Sequence, residues 1–117
     1  MTTTEQITNV ATALGWSVET DASRPGFTEF EFRQYTPAGQ DFGFSVEMRN
    51  GDPDSLLQEL EKYYEAYASD YEAYLWIGTD GHGKNGAPYH IKDIVSDMEA
   101  AEAMIDTLYE TLKTALK

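Results

Sequence analysis

Residues 27–49 read FTEFEFRQYTPAGQDFGFSVEMR, and the alternation on either side of the central turn decides the fold. In the first arm Phe30 and Phe32 fall on one side of an extended chain, while Glu29, Glu31 and Arg33 fall on the other. In the second, Phe42, Phe44, Val46 and Met48 oppose Gly43, Ser45, Glu47 and Arg49. Successive side chains of a strand point to opposite faces, so each arm predicts a strand with one apolar and one charged face. Between them lies TPAGQ, residues 36–40. Pro37 presets the backbone for a turn and Gly39 can take a positive φ, which predicts an antiparallel hairpin with a bulge. Thr36, Gln40 and Asp41 are residue types that such a turn needs on its own account.

Working outward, Trp16, Val18 and Thr20 alternate with Ser17, Glu19 and Asp21, which predicts a further half-buried strand. Before it, Thr3 and Gln6 have capping-box spacing, and Ile7, Val10, Ala11 and Leu14 recur at helical intervals up to Gly15. A helix over about residues 4–14 follows. After the hairpin, Asp52 is placed as an N-cap, with Pro53 just inside the helix and Asp54 near its positive end. Leu57, Leu60, Tyr64 and Tyr67 then share a face. Ser69 and Glu72 repeat the capping spacing, which predicts a break and a short helix carrying Tyr71, Tyr74, Leu75 and Trp76. Finally Ile91, Ile94, Met98, Ala101, Ile105, Leu108, Leu112 and Ala115 step by three and four. They form a seam regular enough to pack on the sheet or on a second copy, so a homodimer is one arrangement the sequence allows. The expected architecture is one acidic α+β domain over residues 1–117: an N-terminal helix, a three-stranded antiparallel sheet, then two to three helices packed on one sheet face.

Eight Lys and Arg face 21 Asp and Glu, for a net charge of −13, so nucleic acid and anionic membrane surfaces would both repel the chain. The partner this charge favours is a basic protein. With no cysteine there is no disulfide framework, thiolate nucleophile or Cys-ligated zinc. The opening MTTTEQITNV has neither a basic segment nor an apolar run, and no long apolar stretch follows, so a cytoplasmic location is expected.

The stretch that most resembles chemistry is GTDGHGKNGAP, residues 78–88, where Gly78, Gly83 and Lys84 satisfy the core of a phosphate-binding loop. Its context argues against nucleotide. The magnesium-holding Ser or Thr is replaced by Asn85, Gly86 and Pro88 delay the following helix to about Tyr89 or His90, and no buried parallel strand precedes the loop. Asp80, His82 and His90 offer oxygen and nitrogen donors for a metal, as an alternative reading, but without the fixed helical spacing of established zinc motifs. No Ser-His-Asp or Ser-Lys pattern stands in a nucleophile context, so the chain reads as non-enzymatic, with no catalytic residue and no cofactor. The loop reads as a connector into the last helix.

The charge, by contrast, is organised. Glu99, Glu102, Asp106 and Glu110 step by three, four and four along the last helix, and Asp93 and Asp97 form an acidic pair one turn apart. At a rise of about 1.5 Å per residue, the ridge from Glu99 to Glu110 extends about 16 Å. These six acids are the expected partner-binding residues. Glu19, Glu29, Glu31 and Glu47 add charge on the exposed strand face, diluted by Arg33 and Arg49. An alternative reading is an adaptor or self-associating protein using Tyr63, Tyr67, Tyr71 and Tyr74 as an aromatic surface.

The segments LGWSVE, FRQYTPAGQDFGFSVE, AYLWIG, GKNGAP and IKDIVSDMEAAEAMIDTLYE, from about Leu14 to Leu112, resemble in that order the small acidic proteins of gut bacteria and their mobile elements. QYTPAGQDF is the most distinctive part of that likeness. It implies a bacterial, cytosolic source and brings no catalytic residues with it. More loosely, the acidity and the order of helix, three strands and trailing helices are similar to small anti-CRISPR inhibitors that imitate DNA. That likeness implies a carboxylate array occupying the Lys- or Arg-lined groove of a DNA- or RNA-binding protein.

Overall fold

The hairpin forms where the alternation places it, and helices before and after it in sequence bury its apolar face. The computed structural model describes residues 2–37, 39–69, 71–72 and 91–116, with the backbone alone for 91–93. Helix α1 (Thr3–Ala13) leads into strands β1 (Ser17–Asp21), β2 (Phe27–Tyr35) and β3 (Asp41–Arg49), followed by helices α2 (Pro53–Ala66) and α3 (Ile91–Ala115). The strands form one antiparallel sheet in the order β1-β2-β3. The fold is therefore the α+β arrangement expected, with residues 69, 71 and 72 also helical after a break at Tyr67 and Ala68.

Register follows from burial. Phe32 lies opposite Phe44 and Val18, and Phe30 lies opposite Val46 and Thr20. Phe30, Phe32 and Phe42 are fully or almost fully buried, and Phe44, Val46 and Met48 nearly so. Trp16, just before β1, meets Phe44 edge-on at 5.6 Å between ring centroids, and Phe44 stacks on Tyr63 of α2 at 4.6 Å. Ile94, Met98, Ala101, Ile105, Leu108 and Leu112 of α3 have no exposed surface, as their spacing predicts, whereas Ala115 is exposed.

Local signals set the ends of elements, with two shifts of one position. The capping box of α1 is Thr2 with Glu5, not Thr3 with Gln6: the Glu5 N–H donates to Thr2 Oγ1 at 3.1 Å, and the Thr2 N–H reaches Glu5 Oε1 at 3.3 Å. Three consecutive threonines make the register degenerate, and a carboxylate near the positive helix end decides it. The helix stops at Gly15, whose φ is +97°. A Cβ there would stand 2.5 Å from Gln34 Nε2, which itself donates to the Leu14 carbonyl at 3.3 Å. On α2, Asp52 caps as expected and accepts from the Asp54 N–H at 3.0 Å. Its core face, however, is Leu56, Leu60 and Tyr67, with half-buried Tyr63 stacked on Phe44, while Leu57 and Tyr64 are partly buried beside it. Both sets have helical spacing; packing against Phe42 and Phe44 selects the first.

The turn does more than reverse the chain. Gly39 has φ +91°, as the hairpin requires, while Thr36 and Gln40 are buried. Thr36 Oγ1 accepts from the Gln40 N–H at 3.0 Å and donates to the Asp97 carboxylate of α3, residues 61 positions apart. Asp97 is 5% exposed. Thr36→Val keeps the shape but removes both bonds and leaves the buried carboxylate short of a donor, so urea unfolding should show a loss of about 1–3 kcal/mol. A change within about 0.5 kcal/mol would show that the turn-to-helix bond does not hold the two together.

Candidate functional site

The acidic ridge survives on the folded surface in altered form. Glu99 and Glu110 are exposed, and Glu102 and Asp106 are partly exposed on the same side of α3. Asp97 departs from this surface: it lies at the edge of the apolar seam and turns inward to Thr36, so it is not presented to a partner. The Asp93 side chain lies outside the described residues.

Sequence spacing did not show that α2 joins the ridge. The charge of Asp106, followed by slight desolvation and the charges of Glu102 and Glu110, raises the Tyr64 phenol above the ordinary tyrosine value. Tyr109 Oη donates to Glu61 Oε2 at 2.9 Å, and that bond, followed by slight burial and the charge of Glu61, Glu110 and Glu65, raises the Tyr109 phenol too. Glu61 and Glu65 of α2 thus face the same region as Glu102, Asp106 and Glu110 of α3, with two tyrosines between them. Among the described residues none of these five carboxylates has a Lys or Arg nitrogen within 4.0 Å. Lys113 instead lies over the Tyr109 ring at 5.7 Å.

A second acidic surface occupies the uncovered sheet face. Asp21 lies opposite Glu29, and Glu29 opposite Glu47; in the neighbouring row Glu19 lies opposite Glu31. Like charges directly across a sheet are unfavourable. Arg24 contacts Glu47 at 2.7 Å, and Arg33 contacts Glu31 at 2.9 Å and Asp41 at 3.4 Å, but these exposed pairs are individually weak. The Ser23 hydroxyl and amide hold the Asp21 carboxyl below its ordinary value.

The alternative readings fare differently. Tyr67 is buried and donates to the Met98 carbonyl at 2.9 Å, and Tyr63 stacks on Phe44, so both belong to the core; burial raises both phenols. Tyr71 is exposed, and Tyr74 lies outside the described residues. So do Asp80, His82 and His90 and the whole Gly78–Pro88 loop. Among the described residues no three His, Cys, Asp or Glu side chains are grouped to hold a metal, and no helix is long and apolar enough to cross a membrane.

Asp106→Asn should lower the Tyr64 pKa, because removing the adjacent negative charge lets the phenolic proton leave at lower pH; Glu61→Gln should do the same at Tyr109. Titration of tyrosine side-chain carbons by NMR checks both, and unchanged values would mean that α2 and α3 do not share a field. Comparison with protein-family models, curated proteins and solved structures finds no match for this chain, so its function is argued from this surface.

Proposed function

We propose that this chain is a non-enzymatic protein-binding domain that captures a basic partner on the α2–α3 face, imitating the charge of a nucleic-acid backbone. The observation that carries the proposal is the row of Glu102, Asp106 and Glu110 on the solvent side of α3, joined to Glu61 of α2 through the 2.9 Å hydrogen bond from Tyr109. A field concentrated by two packed helices, with no cation of the described chain paired to its carboxylates, is relieved by a Lys- or Arg-rich surface brought from outside. Attraction at a distance also favours rapid encounter with such a partner. Tyr64 and Tyr109 give the face rigid aromatic bodies with polar tips, suited to an interface. The partner class is a DNA- or RNA-binding protein, whose groove already accommodates rows of negative charge.

The test is a triple charge reversal, Glu102→Lys, Asp106→Lys and Glu110→Lys. The wild-type protein, immobilised, is expected to retain basic nucleic-acid-binding proteins of its host and to release them to competing duplex DNA. The variant should retain its circular dichroism and lose the captured proteins. Equal capture by a folded variant would contradict the assignment.

A further inference from the structure

Among the described residues strand β3 lies at the edge of the sheet, with β2 as its one neighbour. The Thr36 N–H donates to the Gln40 carbonyl at 2.9 Å and the Asn50 N–H to the Gly26 carbonyl at 2.8 Å. Between these pairs, Thr28, Phe30, Phe32 and Gln34 face Met48, Val46, Phe44 and Phe42. Bonded and non-bonded pairs alternate along an antiparallel ladder, so the core-facing residues of β3 bond to β2, and the alternate residues from Asp41 to Arg49 direct their backbone groups outward. At Arg49 that edge is closed: its N–H donates to Ser55 Oγ at 2.8 Å, and its carbonyl accepts from the Asp52 N–H at 2.9 Å. Among the described residues no such closure is made at Gly43, Ser45 or Glu47. Beside Ser45, Val46 and Glu47 opens a groove of ≈ 470 Å³, which Phe27 and Glu29 of β2 and Glu59 of α2 also line, so that three carboxylates there face one cation, Arg49.

We propose that the outward edge of β3 binds an extended basic peptide segment as a fourth strand. Its main chain pairs with Gly43, Ser45 and Glu47; its Lys or Arg side chains meet Glu29 on one side, next to the Arg24–Glu47 pair, and on the other meet Glu59, which Lys62 reaches at 3.7 Å. Strand addition takes affinity from main-chain bonds and specificity from alternate side chains, which point to both faces. The local chemistry already accommodates a guanidinium: Arg24 sits 3.7 Å over the Phe27 ring and 2.7 Å from Glu47. Glu29, beside it, has no Lys or Arg nitrogen within 4.0 Å among the described residues. A second copy fits less well, because its own β3 carries Asp41 and Glu47 against the single cation Arg49, on a chain of net charge −13. The site is separate from the α2–α3 face and stands or falls without it.

The probe is an acetylated, amidated octapeptide of alternating arginine and threonine, titrated into ¹⁵N-labelled protein. Saturable shifts of the Gly43, Ser45 and Glu47 amides are expected. Methylating alternate peptide nitrogens, which blocks strand pairing while retaining the charge, should weaken binding at least tenfold, as should Ser45→Pro, a substitution tolerated where an edge N–H faces solvent. Neutralising Glu102, Asp106 and Glu110 should leave these shifts unchanged. Shifts confined to α2 and α3, equal binding of the methylated peptide, no binding, or a peptide-independent doubling of mass with those amides shielded would each overturn the proposal.

Discussion

The structure depends on the contact between Phe32 and Phe44 across the β2–β3 ladder, with Trp16 against one side of the pair and Tyr63 stacked on Phe44. It fixes the register of the hairpin, the position of β1 and the face of α2 that turns inward. Because the pleat alternates, a slip of one residue would send these rings to solvent and bring Glu29, Glu31 and Glu47 under the helices. The core and the outer acidic face are therefore two consequences of one register. Concentrating apolar side chains on one face leaves the carboxylates together on the other, even where Glu29 and Glu47 are directly opposed.

A second constraint joins the turn to the last helix. Strand order alone does not place α3, which packs against both α1 and α2. The bond from Thr36 to Asp97 ties it to the hairpin turn, since burying the carboxylate elsewhere would leave it without this donor. Tyr67 adds another through the Met98 carbonyl. With α3 held, Glu102, Asp106 and Glu110 form a row on its solvent side, joined to Glu61 of α2 through Tyr109, and the helical surface gains the charge on which the functional reading rests.

The two strands of the hairpin were legible to the residue because a period of two is read directly from Phe, Glu and Arg. Helix faces were less so: the Leu57–Tyr64 and Leu56–Tyr63 sets both fit helical spacing, and only Phe42 and Phe44, brought in by folding, distinguish them. The α3 part of the candidate surface was visible as a carboxylate repeat. The contribution of Glu61 and Glu65 was not, because it arises from packing between helices distant in sequence. Asp97 was misplaced for the same reason: its i, i+4 relation to Asp93 is local, whereas the Thr36 bond that buries it crosses 61 positions.

The capture proposed for the α2–α3 face is electrostatic, so it should show in the salt dependence of the dissociation constant for a basic partner. Screening shortens from about 10 Å at 0.1 M salt to about 3 Å at 1 M. Affinity is expected to fall at least tenfold between about 0.05 and 0.5 M sodium chloride, chiefly through slower association. An affinity that stays constant over that range would contradict it.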